Sequence, residues 1–437
     1  MGNPNAPMAT GSLDPLMDIP FVRPSLLADP PPRPGITILR HARLFDGTSS
    51  PVRDDVTVVV EDGRIAAVAE GTANSPAGTV IDLEGRFLMP GLIDCHAHVA
   101  AADLPEVPEG AEALRPGVVG HLVVASLRKA LAMGITTIRD VGSYGETVLE
   151  VRQAMRCGAF RGPRLLTCGR IVSATSAGGR HFATMYREAD GPDEMRKAVR
   201  EQLRIGADFV KIMMTGARSV ELENPAPPQV TVEEVAALVD EVHRQGYRVA
   251  AHCEGLDGTR LAIEHGIDTI EHGFFLNHEP ALLDRMAREN KVLVPTLSFL
   301  VDVADRHAEE WSPHLVTRGA YNLEEALKTV GAAVAAGVPL AMGYDSFPEE
   351  LAASELGLMV EAGMSAHQAL VAATSTGAMA LGLDDQIGTV EEGKLADLVV
   401  VDGDPLVDTS VLTDPAAIHL VFQLGQPVGG RALDPAL

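Results

Sequence analysis

Residues Phe87-Leu88-Met89-Pro90-Gly91-Leu92-Ile93-Asp94-Cys95-His96-Ala97-His98-Val99 decide how the rest of the chain reads. The apolar run, interrupted only by Pro-Gly, has the character of a buried strand in a parallel sheet. It ends in His-x-His, and side chains two apart on a strand share a face. His96 and His98 therefore converge on one point, as two imidazoles would when offered to zinc or a similar divalent ion. A pair of hydrogen-bonded strand-end histidines is the competing reading, and the downstream sequence bears on the choice.

Downstream, strand-like and helix-like stretches alternate, the pattern of a parallel sheet with crossover helices. Eight strand candidates stand out: Phe87 to Val99, Ile135 to Val141, Arg164 to Cys168, Phe209 to Met214, Tyr247 to His252, Thr269 to Gly273, Lys291 to Leu297 and Pro339 to Asp345. Amphipathic helices lie between most of them, for example Val232 to Arg244 behind the capping-box pair Thr231 and Glu234. Eight such units predict an α/β fold of the (β/α)8 TIM-barrel type, with its chemistry at the C-terminal strand ends.

Ionisable residues recur at those ends. Strand one carries His96 and His98, strand four Lys211, strand five His252, strand six His272 and strand eight Asp345. A lone lysine in a buried strand is costly unless neutralised or paired. Carboxylation by carbon dioxide would turn its amine into a carbamate anion able to bridge two metal ions. Each residue alone has an ordinary explanation, as a core histidine or an outward-reaching lysine. Together, at five strand ends, they predict a metal centre.

Outside the alternating middle the texture changes. Residues 1–35 are Pro-rich and read as an arm, either disordered or strapped across a neighbouring subunit. Residues 36–88 and 385–437 are strand-rich, with a hairpin signal at Asp62-Gly63, and predict one small β-sandwich domain built from both chain ends. Residues 89–384 would then form the barrel domain. At 437 residues the chain suits a barrel of about 250 residues plus a smaller unit. A net charge of −25 argues against nucleic acid or an anionic membrane as partner. The four cysteines show no C-x-x-C spacing, which fits a reduced, cytoplasmic setting.

The chain resembles the amidohydrolase superfamily, close to its imidazolonepropionase-like and Xaa-Pro-dipeptidase-like branch. The resemblance runs from about Ile36 onward. It is carried by Met89-Pro90-Gly91-Leu92-Ile93-Asp94-Cys95-His96-Ala97-His98, by Gly206-Ala207-Asp208-Phe209-Val210-Lys211-Ile212 and by the segment Gly388 to Val399. It implies a binuclear hydrolase cleaving a C–N amide bond, with His96, His98 and Asp345 on one metal and His252 and His272 on the other. Lys211, carboxylated, would bridge the two divalent ions, zinc foremost. Asp345 would take a proton from the bridging water and return it to the leaving amine. His181 is the candidate donor to the developing oxyanion. Relatives place a Gly-Gly-His segment there, and here Arg180 interrupts it. The resemblance also implies a homo-oligomer.

For substrate the expectation is a small amide: a dipeptide, an N-acyl amino acid or, because ochratoxin-type amidases resemble this branch, an aromatic amide. Dipeptidase-like members often carry a tyrosine two residues after the strand-five histidine, where this chain has Glu254. An acid there should repel a carboxylate and suit a neutral or cationic group. Arg180 and Arg218 are loop candidates for clamping a carboxylate, and Tyr144 is a candidate wall residue. Hydrolysis of a cyclic amide, carbamate or urea-type compound is the alternative. Ring deamination is disfavoured by Lys211, and an inactive scaffold by the six filled ligand positions.

Overall fold

The computed structural model describes residues 33–71, 77–100, 114–306, 308–346 and 352–433, together with Ser25. The arm expected over residues 1–35 lies outside the described residues apart from Ser25 and residues 33–35. The strands are β1 (Ile36–Leu44), β2 (Arg53–Glu61), β3 (Arg64–Glu70), β4 (Thr79–Asp82), β5 (Phe87–Pro90), β6 (Leu92–Ala97), β7 (Ile135–Asp140), β8 (Arg164–Thr167) and β9 (Ile171–Ser173). They continue as β10 (Tyr186–Glu188), β11 (Val210–Met213), β12 (Val249–Cys253), β13 (Thr269–His272), β14 (Val292–Val294), β15 (Leu398–Val401), β16 (Ile418–Gln423) and β17 (Gln426–Gly429).

Both chain ends meet in one eight-stranded sheet ordered β17-β16-β15-β5-β1-β2-β3, with β4 beside β1. Strand β15 is buried on both faces, which explains its unbroken apolar run. Leu398 and Val400 join Leu88 and Phe422 in a small core, while Val399 and Val401 join Phe87 and Met89 in the large one. The Asp62-Gly63 turn connects the antiparallel strands β2 and β3, with Asp62 at φ 49°.

The middle of the chain is parallel throughout. One sheet runs β10-β9-β11-β12-β13-β14 and another β6-β7-β8. Helices cover them, among them Val232–Arg244, whose Thr231–Glu234 capping box is formed as expected. Asp208 N donates to Thr167 O at 2.8 Å, linking the entry to β11 with the end of β8. Residues 339–346 lie between β14 and β6: Ala341 N donates to Leu293 O at 3.0 Å and Asp345 N to His96 O at 2.7 Å.

Two strand expectations change. The first strand is not continuous but breaks at Gly91 into β5, which belongs to the mixed sheet, and β6, which belongs to the parallel one. The break demands glycine, because a Cβ at position 91 would stand 2.1 Å from Thr136 Oγ1. The eighth is not a regular strand: its amides bond in turn to Leu293, Ala372 and His96 rather than to one partner. The sequence reading also passed over the short strands β9 and β10. A buried ion pair, Arg164 Nη1 to Asp397 Oδ2 at 2.8 Å, ties β8 to the segment entering β15. Among the described residues no helix is long and apolar enough to cross a membrane.

Candidate metal centre

The strand ends bring His96, His98, His252, His272, Lys211 and Asp345 towards one another. Ligand atoms of His96, His272 and Asp345 all lie within 4.8 Å of one another, and all three residues are buried. His96 Nε2 is 3.2 Å and His98 Nε2 3.3 Å from Asp345 Oδ1. The second nitrogen of each ring is tied elsewhere. His96 Nδ1 meets Glu271 Oε2 at 2.8 Å, and His98 Nδ1 donates to Gly142 O at 2.7 Å. His272 Nδ1 bonds Thr296 Oγ1 at 2.8 Å. His252 packs against His272 with ring centroids 4.5 Å apart, its Nε2 near Gly216 O at 3.3 Å and Glu254 Oε1 at 3.4 Å.

The close approach of the eighth segment to β6 depends on Gly343, where a Cβ would meet His96 Cβ at 2.7 Å. His272, Thr296 and Asp345 all hold left-handed backbone, at φ 72°, 53° and 60°. For β-branched Thr296 that conformation is strained, and strain of this kind collects at functional sites.

Electrostatics follow from burial. Lys211 is 2% exposed, and its Nζ makes no hydrogen bond or ion pair among the described residues. Burial lowers its pKa. Burial also pushes His252 and His272 well below the ordinary histidine value, so both rings are neutral and able to ligate. Burial raises Asp345, but His96 and His98 outweigh it and hold the carboxyl well below its usual range. Four imidazoles, a carboxylate and a buried amine form a donor set that suits divalent cations.

Arg218 and Glu254 stand beside this cluster and are paired with each other. Glu254 is 1% exposed and spends its charge on Arg218, accepting from the backbone N at 3.0 Å and from Nη1 at 2.7 Å. It is therefore no bare acid facing the substrate. Arg218, the candidate carboxylate clamp, is buried. Its guanidinium lies between Phe274 and Phe299 and reaches Asp345 Oδ2 at 3.3 Å. Tyr144 is buried within electrostatic reach of Tyr186.

Arg180 and His181 stand exposed on the short helix Ala177–Phe182, His181 packing edge-on against Phe182. No hydrogen bond or ion pair joins either to the cluster among the described residues. Glu223 accepts from Gly178 N at 2.7 Å and Ala217 N at 2.8 Å and ties the helix base to the loop after β11.

Sequence reading missed the groups that hold the ligands: Glu271 behind His96, Arg139 behind Glu271, and Thr296 behind His272. Glu271 and Arg139 each carry a signal, a charged residue at a fully buried position of a strand that also holds threonines. Thr296 carries none, because only the fold brings it to His272.

Comparison with known proteins places the chain in a family. The Amidohydrolase family pattern matches residues 87–428. Ochratoxinase of Aspergillus niger is 29% identical over 430 residues, covering 92% of this chain and 88% of that protein. Its crystal structure superposes with a TM-score of 0.82 at 27% identity, covering 92% of this chain and 97% of the other. A Xaa-Pro dipeptidase solved with methionine in its active site gives a TM-score of 0.82 at 29% identity, over 90% of this chain and all of that one (100%). Imidazolonepropionase of Sphingopyxis alaskensis is 27% identical over 390 residues, 80% of this chain and 88% of that protein. The chain belongs to the amidohydrolase family and is a hydrolase.

Proposed function

We propose that this hydrolase cleaves the C–N bond of a small amide at a centre of two divalent cations, zinc foremost. His96, His98 and Asp345 would hold one cation and His252 and His272 the other, with Lys211, carboxylated by carbon dioxide, between them. One observation carries the reading: a lysine 2% exposed among five ligand-type side chains, with no partner for its amine among the described residues. An ammonium without a partner is untenable there, whereas a carbamate on that amine has cations to meet. Bound divalent ions would supply Lewis acidity to a carbonyl and lower the pKa of water.

The chain's own residues do the rest. Asp345 Oδ1 faces both His96 and His98 and takes the proton that the attacking water releases, later returning it to the leaving amine. Arg218 holds the other oxygen of Asp345, fixing the carboxylate plane. Because Arg218 neutralises Glu254, the case for a cationic or cyclic substrate weakens, and an acyl amino acid or dipeptide fits best. Relatives named for ochratoxin and for Xaa-Pro dipeptides support that choice. Arg180, His181 and Tyr144 are assigned to the substrate, not to the cations.

The same reading takes the eight parallel segments as one closed barrel, with residues 36–88 and 385–437 forming a composite β-sandwich domain. The bonds from β8 to the entry of β11, and from residues 339–346 to both β14 and β6, support closure. A cytoplasmic setting, supported by four unpaired cysteines, three of them buried, and assembly as a homo-oligomer complete it.

The test is metal content per chain in protein grown with bicarbonate and zinc, beside Lys211→Ala. About two metals falling to one or none, with amidase activity lost together, is the expected result. One metal in both proteins with unchanged activity would overturn the bridge.

A further inference from the structure

Behind His96 lies a buried polar network that spans three strands. Arg139, on β7, is 3% exposed, and Glu271, on β13, is fully buried. Arg139 Nη2 donates to both oxygens of Glu271, at 2.8 Å and 3.0 Å. Its Nη1 donates to Thr269 Oγ1 at 3.0 Å, and that hydroxyl donates to Glu271 Oε1 at 2.5 Å. Its Nε donates to Cys95 O at 2.5 Å, the carbonyl just before His96. Glu271 Oε2 then meets His96 Nδ1 at 2.8 Å.

We infer that Glu271, held by Arg139 and Thr269, is a positioning residue that fixes the tautomer of His96 and aims its Nε2 lone pair at the metal centre. A carboxylate gripped from one side by a guanidinium can only accept from the ring on its other side, so the proton sits on Nδ1. His98 is fixed likewise by a backbone carbonyl, which also can only accept. His272 differs: its Nδ1 faces the Thr296 hydroxyl, which either donates or accepts, so nothing there forces the tautomer. The two histidines of His-x-His are thus preset, and His272 is left to adapt.

Arg139 also explains why Lys211 is free. Glu271 and Lys211 lie within electrostatic reach of each other, yet Glu271 forms its ion pair with Arg139. Without that arginine the lysine would be the nearest cation for Glu271, and its amine would be spent.

The inference rests on the two-cation reading for its consequence, but not for its structural half. The experiment therefore has two readouts: the His96 Nδ1–H signal in 15N-histidine NMR of metal-free protein, assigned with His96→Gln, and zinc affinity by competition with a chelator. In Glu271→Gln we expect the Nδ1–H signal to vanish and affinity to fall about 10–100-fold. Arg139→Lys should lose affinity to a lesser degree. A folded Glu271→Gln with wild-type signal and affinity overturns the inference, and so does loss of the signal with affinity unchanged. If Glu271→Gln does not fold, Arg139→Lys and Thr269→Val carry the test, and wild-type affinity in both overturns it. Failure of the wild type to bind zinc would instead overturn the metal reading, while the NMR signal still decides the role of Glu271.

Discussion

The strand-end cluster and the loop after β9 were both expected to carry chemistry, and they are built in opposite ways. In the cluster every candidate but Asp345 rides on a strand or its first following residue, and second bonds to groups that only accept hold the rings of His96 and His98. In the loop, Arg180 and His181 project from a helix of six residues into solvent, with only its base held by Glu223. The first region is preorganised, and the second is free to adapt.

The sharpest way to break that contrast is Asp345→Asn. It keeps the shape but removes the proton acceptor, and should lower kcat by about 10²–10⁴-fold in steady-state amide hydrolysis. A loss under tenfold would move the base elsewhere.

Next comes Glu355, which braces the rigid side by accepting from Leu297 N at 2.8 Å and Ser298 N at 2.7 Å, just beyond Thr296. Burial pushes its pKa up to about 7. Between about pH 4.5 and 7 the folded state keeps a proton that the unfolded chain has released. Stability should therefore fall as pH rises through that window and level off above it, by on the order of 3 kcal/mol. Urea unfolding of metal-free protein at pH 5 and pH 8 measures this, and Glu355→Gln should flatten the difference. An unchanged difference would show that Glu355 does not titrate there.

The smallest effect is expected from His181→Asn. An exposed group without a second bond should cost about tenfold in kcat/KM, short of the 10²–10³ for a preorganised oxyanion donor. A loss on the larger scale would return His181 to the catalytic centre and erase the contrast.

The same contrast explains what was legible. Strand periodicity made His96, His98, Lys211, His252, His272 and Asp345 readable, because spacing along a strand converts directly into a shared face. It could not reveal the break at Gly91, since an apolar run looks alike whether it serves one sheet or two. It could not show the partner of Glu254 for a related reason. A charge at a loop position has no sign of its partner, and Arg218 is supplied from a different strand end. The capping box at Thr231 was legible because both of its members are local. Arg139 and Glu271 needed strands of two different sheets to come together.

The pairing of β5 with β15 has a consequence for synthesis. Residues such as Phe87 and Val401 are neighbours in the sheet but roughly three hundred residues apart in the chain. A growing polypeptide therefore holds the edge of β5 open until roughly three hundred further residues have been made. Such late, distant pairing slows folding and leaves an exposed strand edge to associate with other chains. Loss of the last strands would strike hardest during that interval. Joining the C-terminal segment ahead of Ile36 in a rearranged gene would shorten it.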